Sequence, residues 1–304
     1  MKKNIAFILL LTSIFLFSGC SDKSDSSDKI SLGLMSDTAS IPFVLADLSG
    51  YFENQGVEIE IQIFQSALDR DSALQANTIN AVSSDLISAG FLKESGNALI
   101  ISSRTECGYA ILSSPDSDIN SPYDLEGKKV GLSTNTLMEY LLDLTVEKYG
   151  ISDISKTNIP IMPARLEMLR ENQIDAATLP DPLTYLAQKD NSKVISTNVD
   201  LGVYPGVILF NESFVLENPE AVKGFYAAYN RAVDKINDSG LEDSLKEINQ
   251  IMNFPEPVLT DLYNLRYTHS SLPTEENLAS ALKWLYGKGF ISELYSYEDM
   301  VLTD

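Results

Sequence analysis

The sequence predicts an α/β protein of two lobes, each a mostly parallel sheet flanked by helices, with a ligand cleft between the lobes. Three observations predict it. From residue 30 onwards, short apolar or alternating runs such as V-E-I-E-I-Q-I-F (57–64) alternate with helical patterns, at the spacing of strand–helix–strand crossovers. About 275 residues follow position 29, long for one simple core and comfortable for two lobes. The chain is expected to leave its first sheet after residue 112 and to return through the Gly202/Pro205-Gly206 connection. Residues 30–112 and 207–304 then form lobe one, 113–206 form an inserted lobe two, and two crossings make a hinge.

Residues 1–19 stand apart from the fold. Lys2 and Lys3 precede an apolar run over 5–17, and Ser18-Gly19-Cys20 ends it with small residues before a cysteine. Thirteen helical residues reach ~20 Å, short of the ~30 Å hydrocarbon core, so the run reads as a signal peptide. It resembles a bacterial lipoprotein signal, which implies that Cys20 is lipidated and becomes the mature N-terminus. Phe17 departs from the small aliphatic residue usual three places before that cysteine. Residues 20–29, polar and without periodicity, are expected to be a disordered tether.

The elements follow in order. Residues 30–35 form a strand, and Ser40 with Pro42 opens a helix over 43–51. The 57–64 strand leads to a helix over 69–75, a strand over 80–82, a helix capped at Ser83-Ser84-Asp85 and running to Lys93, and strands at 99–103 and 109–112. Ser121-Pro122-Tyr123-Asp124 reads as a capping box ended by Gly127. A strand over 128–132 feeds a helix opened by Ser133-Thr134-Asn135-Thr136, with Met138, Leu142, Val146 and Tyr149 on one stripe and Gly150 at its end. Over 159–182 a helix is expected only after Pro163, with Leu166, Met168 and Leu169 buried and Arg165 facing out. A buried strand over 174–179 stops at Pro180-Asp181-Pro182. Strands at 194–195 and 207–210 follow. A helix opened by Asn218-Pro219 carries Val222, Phe225, Tyr229, Val233 and Ile236 on its core face, and Thr274 caps one carrying Leu278, Leu282 and Leu285.

Charge narrows the partners. The chain carries 22 basic and 43 acidic side chains, net −21, and without Lys2 and Lys3 the balance is −23. That excess opposes nucleic acid and anionic membrane surfaces, which need basic patches, so membrane contact is expected through the N-terminal lipid alone. Cys107 is the only cysteine after Cys20, which excludes an intramolecular disulfide within the fold and any cysteine-based metal site; a small buried hydrophobe is its expected role.

Three stretches carry a resemblance: I-P-F-V-L-A-D-L-S-G-Y-F-E-N-Q-G-V-E-I-E (41–60), D-L-E-G-K-K-V-G (124–131) and R-L-E-M-L-R-E-N-Q-I-D-A-A-T-L-P-D-P (165–182). In order and spacing they resemble the type II periplasmic binding proteins of the NMT1/THI5-like and alkanesulfonate-binding group, over nearly all of 30–300. The resemblance implies the substrate-binding subunit of an ABC importer, which closes two lobes on one small molecule and hands it to a permease and its ATPase. A monomer without cofactor is expected.

Such a site needs hydroxyl and amide groups at helix N-termini, where free N–H groups and the positive helix end hold polar or anionic atoms. Helices beginning near Ser40, Ser84, Thr134 and Ala164 are expected to point at the cleft. The candidates are Ser36, Asp37, Thr38, Gln65, Ser83 and Ser84 in lobe one, and Ser133, Thr134, Asn135 and Thr136 in lobe two. For each, an ordinary cap or turn is the competing reading. Arg104 and Arg165 are candidates for bidentate pairing with a ligand anion. Tyr109, Phe43, Phe64 and Tyr204 have faces for stacking, with core packing as the alternative, and Asp181 either reaches the cleft or holds a turn. Some relatives of this group are enzymes of thiamine-pyrimidine synthesis, chemistry that calls for a Schiff-base lysine and a placed histidine. His269, the only histidine, lies in a polar C-terminal segment, so the enzyme reading is set below transport; a lipid-anchored sensor or adhesin is the third class. Asp37, Asp85 and Asp181 favour a neutral or cationic heterocycle such as a thiamine precursor, with a sulfonate or nitrate as rival.

Overall fold

The computed structural model describes residues 28–303. The expected signal segment, Cys20 and the tether up to residue 27 lie outside the described residues. Lys29 is already docked: its ammonium lies 2.8 Å from Glu60, and its carbonyl accepts from Asn80 Nδ2 at 2.9 Å.

The first sheet starts with β1 (Ile30–Met35), α1 (Ile41–Leu48), β2 (Ile59–Phe64), α2 (Ala67–Gln75), β3 (Ala81–Asp85), α3 (Leu86–Glu94) and β4 (Leu99–Arg104). The chain then builds a second sheet from β5 (Tyr109–Ser113), β6 (Lys128–Leu132), α4 (Leu137–Tyr149), β7 (Ile154–Asn158), α5 (Met162–Arg170), β8 (Ala176–Pro180), α6 (Leu183–Lys189) and β9 (Val194–Thr197). It returns through β10 (Gly206–Asn211) to α7 (Glu212–Glu217), α8 (Pro219–Ser239), α9 (Leu245–Met252) and α10 (Glu275–Gly287). The strand orders are β2-β1-β3-β10-β4 and β7-β6-β8-β5-β9.

In each sheet the strand that follows a crossing runs against its neighbours: β10 is antiparallel to β3 and β4, and β5 to β8 and β9. The cause is where the chain crosses. It leaves the C-terminal end of β4 and reaches the second sheet at the same edge, so β5 begins where β8 ends, Tyr109 opposite Pro180. On the way back Gly206 lands opposite Asp85, the last residue of β3. Tyr109–Ser113 therefore pairs within the second sheet, whereas the sequence reading left 109–112 with the first. The chain turns at 105–108, four residues sooner than expected.

The crossings touch. Thr105 N–H donates to Gly206 O at 2.9 Å, and a Cβ on Gly206 would stand 2.7 Å from Thr105 O, which requires glycine there. Thr38 N–H donates to Asp181 O at 3.2 Å, tying the end of β1 to the end of β8.

One apolar cluster packs α1 and α8 against the first sheet, with Phe43 and Phe225 stacked at 5.5 Å; Phe43 is thus core and does not face a ligand. Phe64 is likewise buried in a cluster. Another packs Leu125, Val130, Leu132 and Leu142 on the second sheet. The third runs through both halves, joining Leu86, Leu92, Leu282 and Leu285 to Leu137, Tyr140 and Leu141. Helix α4 thus carries two apolar stripes. The stripe read from the sequence (Met138, Leu142, Val146, Tyr149) covers its own sheet, and the second meets α3 and α10 of the other half.

Helix starts differ in instructive ways. α5 begins at Met162, with Pro163 inside the first turn, where its missing N–H costs no intrahelical bond. In α3 the cap is Asp85, whose Oδ1 accepts the N–H groups of Ile87 and Ser88 at 3.0 Å. Ser83 and Ser84 sit buried inside β3. Thr136 caps α4, accepting from Met138 N–H at 3.2 Å, and Gly150 ends it with φ 66°.

Candidate functional site

The strand ends and helix starts of both sheets meet around a central cavity holding about 480 Å³ of non-atom space, part of it open to solvent. The first half contributes Met35 and Asp37 after β1, Ala67 and Arg70 of α2, and the cap Asp85. The second contributes Tyr109, Ser133, Thr136, the start of α4, Pro160, Met162, Arg165 and Pro180. This is the edge of an open α/β sheet where ligands are held, built here twice and face to face. A lateral groove shares Ala67, Ser133, Thr136 and Pro160 with it and adds Leu68, Phe91, Thr134, Asn135 and Asn158. On another flank Met162 is shared with a cleft lined by Ser36, Gln65, Pro182 and Phe254.

Its electrostatics rest on two carboxyls and two guanidiniums. Asp37 is 8% exposed, and among the described residues the side chain that hydrogen-bonds it is the Ser40 hydroxyl, which donates to Oδ1 at 3.2 Å. Burial pushes its pKa up to about 7, against the pull of Ser40 and of the Arg70 charge. Arg70 is 3% exposed and was not singled out from the sequence. It donates to Asp71 Oδ1 at 2.8 Å, Ser83 O at 3.0 Å and Ser88 Oγ at 3.2 Å, and stands 3.9 Å from Asp85 Oδ2. Burial raises the Asp85 pKa, with the Arg70 charge opposing.

Arg165 overturns its expected outward position. It is 1% exposed and donates to the carbonyls of Ile159 (2.9 Å), Thr178 (2.7 Å) and Pro160 (3.3 Å). Burial lowers its pKa to about 10, and no carboxylate among the described residues forms an ion pair with it. Three carbonyls occupy three of its five N–H donors, so the guanidinium both braces the α5 entry and lines the cavity. A signal was present in the sequence: positions 162, 165, 166 and 169 share one helical face, so an arginine stands in an apolar stripe.

The remaining candidates divide. Ser133 and Thr136 line the central cavity, and Thr134 and Asn135 the groove beside it. Ser36 and Gln65 line the flanking cleft, where Ser36 Oγ donates to Met252 O at 2.6 Å. Ser83 and Ser84 line none of these pockets; they are buried in β3, where the Ser83 carbonyl accepts from Arg70 and Ser84 Oγ has no hydrogen-bond partner among the described residues. Arg104 lies away from the cavity, paired with Glu106 at 3.4 Å and donating to Ser271 and Thr268, so it braces the crossing. Thr38, Asp181 and Tyr204 line a separate pocket beside the crossings, together with Cys107 and Tyr267. Asp181 accepts from the hydroxyls of Thr184 and Tyr185, the latter at 2.8 Å, and Tyr204 N–H donates to Asn277 Oδ1 at 2.7 Å. Tyr109 alone of the proposed stacking residues reaches the central cavity. His269 pairs with Asp234 at 2.7 Å on the exposed surface and lines none of these pockets.

Two sheets joined by two touching crossings, with helix starts from both lining one cavity of mixed polar and apolar walls, define a two-lobed ligand-binding protein. The chain belongs to the NMT1/THI5-like family, whose model matches residues 37–239. It is similar to a Brachyspira hyodysenteriae protein provisionally named an ABC transporter periplasmic binding protein, 25% identical with 70% of this chain and 68% of that one covered. A Bacillus subtilis protein provisionally named for binding aliphatic sulfonates is 26% identical, covering 77% and 74%. Among solved structures, the alkanesulfonate-binding protein SsuA of Xanthomonas axonopodis pv. citri bound to MOPS has a TM-score of 0.76 at 19% identity, covering 90% of this chain and 98% of that one, a likeness of fold.

Proposed function

We propose that this chain is the extracytoplasmic substrate-binding subunit of an ABC importer, anchored through Cys20, which closes two lobes on one small organic molecule and delivers it to a permease and its ATPase. The cavity between the sheets carries this reading: its walls come from both halves, so a ligand touching both stabilises the closed arrangement through contacts absent when the lobes part. The lobes are proposed as 30–104 with 206–304, and 109–197, swinging on the crossings. Binding, not catalysis, is the activity. The relatives compared above are named as binding proteins, which supports this reading.

The ligand favoured is a compact heterocycle of the thiamine-precursor type. Asp37, a buried carboxyl titrating near neutrality, suits a ring nitrogen or amino group, which it meets as donor or acceptor, and Tyr109 supplies a face. Arg165, without a carboxylate partner, supports a second reading, a sulfonate or similar anion, and the B. subtilis relative's name agrees with it. Native mass spectrometry of protein purified without denaturation from its source tests both. One bound mass per chain is expected, lost on Asp37→Asn if it is the heterocycle and kept if it is the anion. Protein that carries no ligand and binds neither an aminopyrimidine nor a sulfonate in titration overturns the reading.

A further inference from the structure

A charged cluster on α4 ties the cleft loop to the opposite half of the molecule. Glu139, 7% exposed, accepts the Asn135 N–H on Oε2 at 2.7 Å. Its Oε1 lies 2.6 Å from Lys156 Nζ and 3.6 Å from Lys288 Nζ. One turn on, Asp143 meets Lys156 at 2.5 Å, Lys288 at 2.7 Å and the indole N–H of Trp284 at 3.0 Å. Tyr140, between them, has its hydroxyl 2.7 Å from Ser280 Oγ. Lys156 belongs to β7 in the same half as α4. Trp284 and Ser280 stand on α10 and Lys288 directly after it, in the other half, where α10 packs on α3.

Two like charges four residues apart on a helix repel, and here both are largely buried. Within their own half the two carboxylates share Lys156; Lys288, which also meets both, supplies the second cation only when α10 is docked. Asn135 sits at φ 59°, an uncommon conformation for a residue other than glycine, with its N–H held by Glu139. The loop so held, 133–136, lines the central cavity and the groove beside it.

We propose that Glu139 is a positioning residue for the cleft, and that Lys288 and Trp284 reach across the seam to hold it, so that docking of the two halves and ordering of the 133–136 loop are one event. Glu139 does not touch the ligand cavity. It acts through Asn135. The cluster makes the shape of one cavity wall depend on a contact outside the cavity.

Hydrogen exchange on the full chain without ligand tests this. Lys288 is about one third exposed, so Lys288→Met keeps its methylene packing and folds. Amides over 133–137 are expected to exchange about fivefold faster in Lys288→Met than in the wild type, while α8 amides are unchanged, as loss of a partly buried ion pair implies. Lys288→Arg restores the slow exchange. Glu139→Gln, which keeps an acceptor for Asn135 but loses the charge that both lysines meet, is expected to exchange at least as fast over 133–137 as Lys288→Met. Unaltered exchange over 133–137 in Lys288→Met overturns the proposal, and so does a uniform rise across all amides, which marks global destabilisation.

Discussion

Asp37 shows how a single residue of this site registers in the stability of the whole chain. In the unfolded chain an aspartate titrates near 3.9, and in the fold this one titrates at about 7. Between those values the folded chain holds a proton that the unfolded chain has lost, so this group makes stability fall as pH rises from about 4 to about 7, and adds no slope above. Burial raises Asp85 and Asp181 in the same direction. Asp37→Asn removes its share of the slope. Urea melts from pH 4 to pH 8 are expected to diverge, with the variant more stable at pH 8 by up to ~4 kcal/mol and not at pH 4. Parallel curves for the two proteins would show that Asp37 is ionised in the fold. Asp37 was legible in the sequence as a polar residue after a strand, and so were Ser133 and Thr136. Arg70 was not, because its neighbours Asp69 and Asp71 give its helix the composition of a solvated face, and only the fold swings the guanidinium under Ser83.

At the scale of elements, strands carrying an apolar run or a two-residue alternation were legible even at a sheet edge, as β2 was, and a strand with neither was not. β8, flanked by β6 and β5, was read to within two residues at its start. β7, I-S-K-T-N, pairs on one side only and carries no buried residue, so no periodicity announces it. Directions were hidden too. That β5 and β10 run antiparallel follows from where the chain crosses, and no local pattern encodes it. The crossings nevertheless leave one trace in the sequence, glycine. Gly206→Ala would press a Cβ onto Thr105 O where the crossings are hydrogen-bonded, and is expected to cost about 1–3 kcal/mol. Gly287→Ala, at the end of α10 with nothing within 4 Å, is expected to gain up to ~1 kcal/mol. Denaturant midpoints check both. A Gly206→Ala protein as stable as the wild type would mean the crossings part without cost.

For the whole molecule, two electrostatic effects of opposite sign coexist. The chain's net charge of −21 repels itself in the compact state, so salt is expected to stabilise the fold globally by screening that repulsion. The seam between α4 and α10 works the other way, because there lysines sit between carboxylates and screening weakens their attraction. Raising NaCl from 20 mM to 500 mM should therefore raise the urea midpoint while quickening amide exchange over 133–137, two observables moving in contrary directions under one variable. Trp284, the only tryptophan in the chain, stands at that seam within 5.6 Å of the Tyr140 ring, so its emission reports the seam directly and should shift to the red with salt. In Lys288→Met the midpoint should still rise with salt, but the loop should respond less, since the more exposed of its two cations is gone. A loop that quickens equally in wild type and variant would assign the salt effect to the lysine that remains, Lys156, within the second half, and the seam would then be held by its apolar contacts alone.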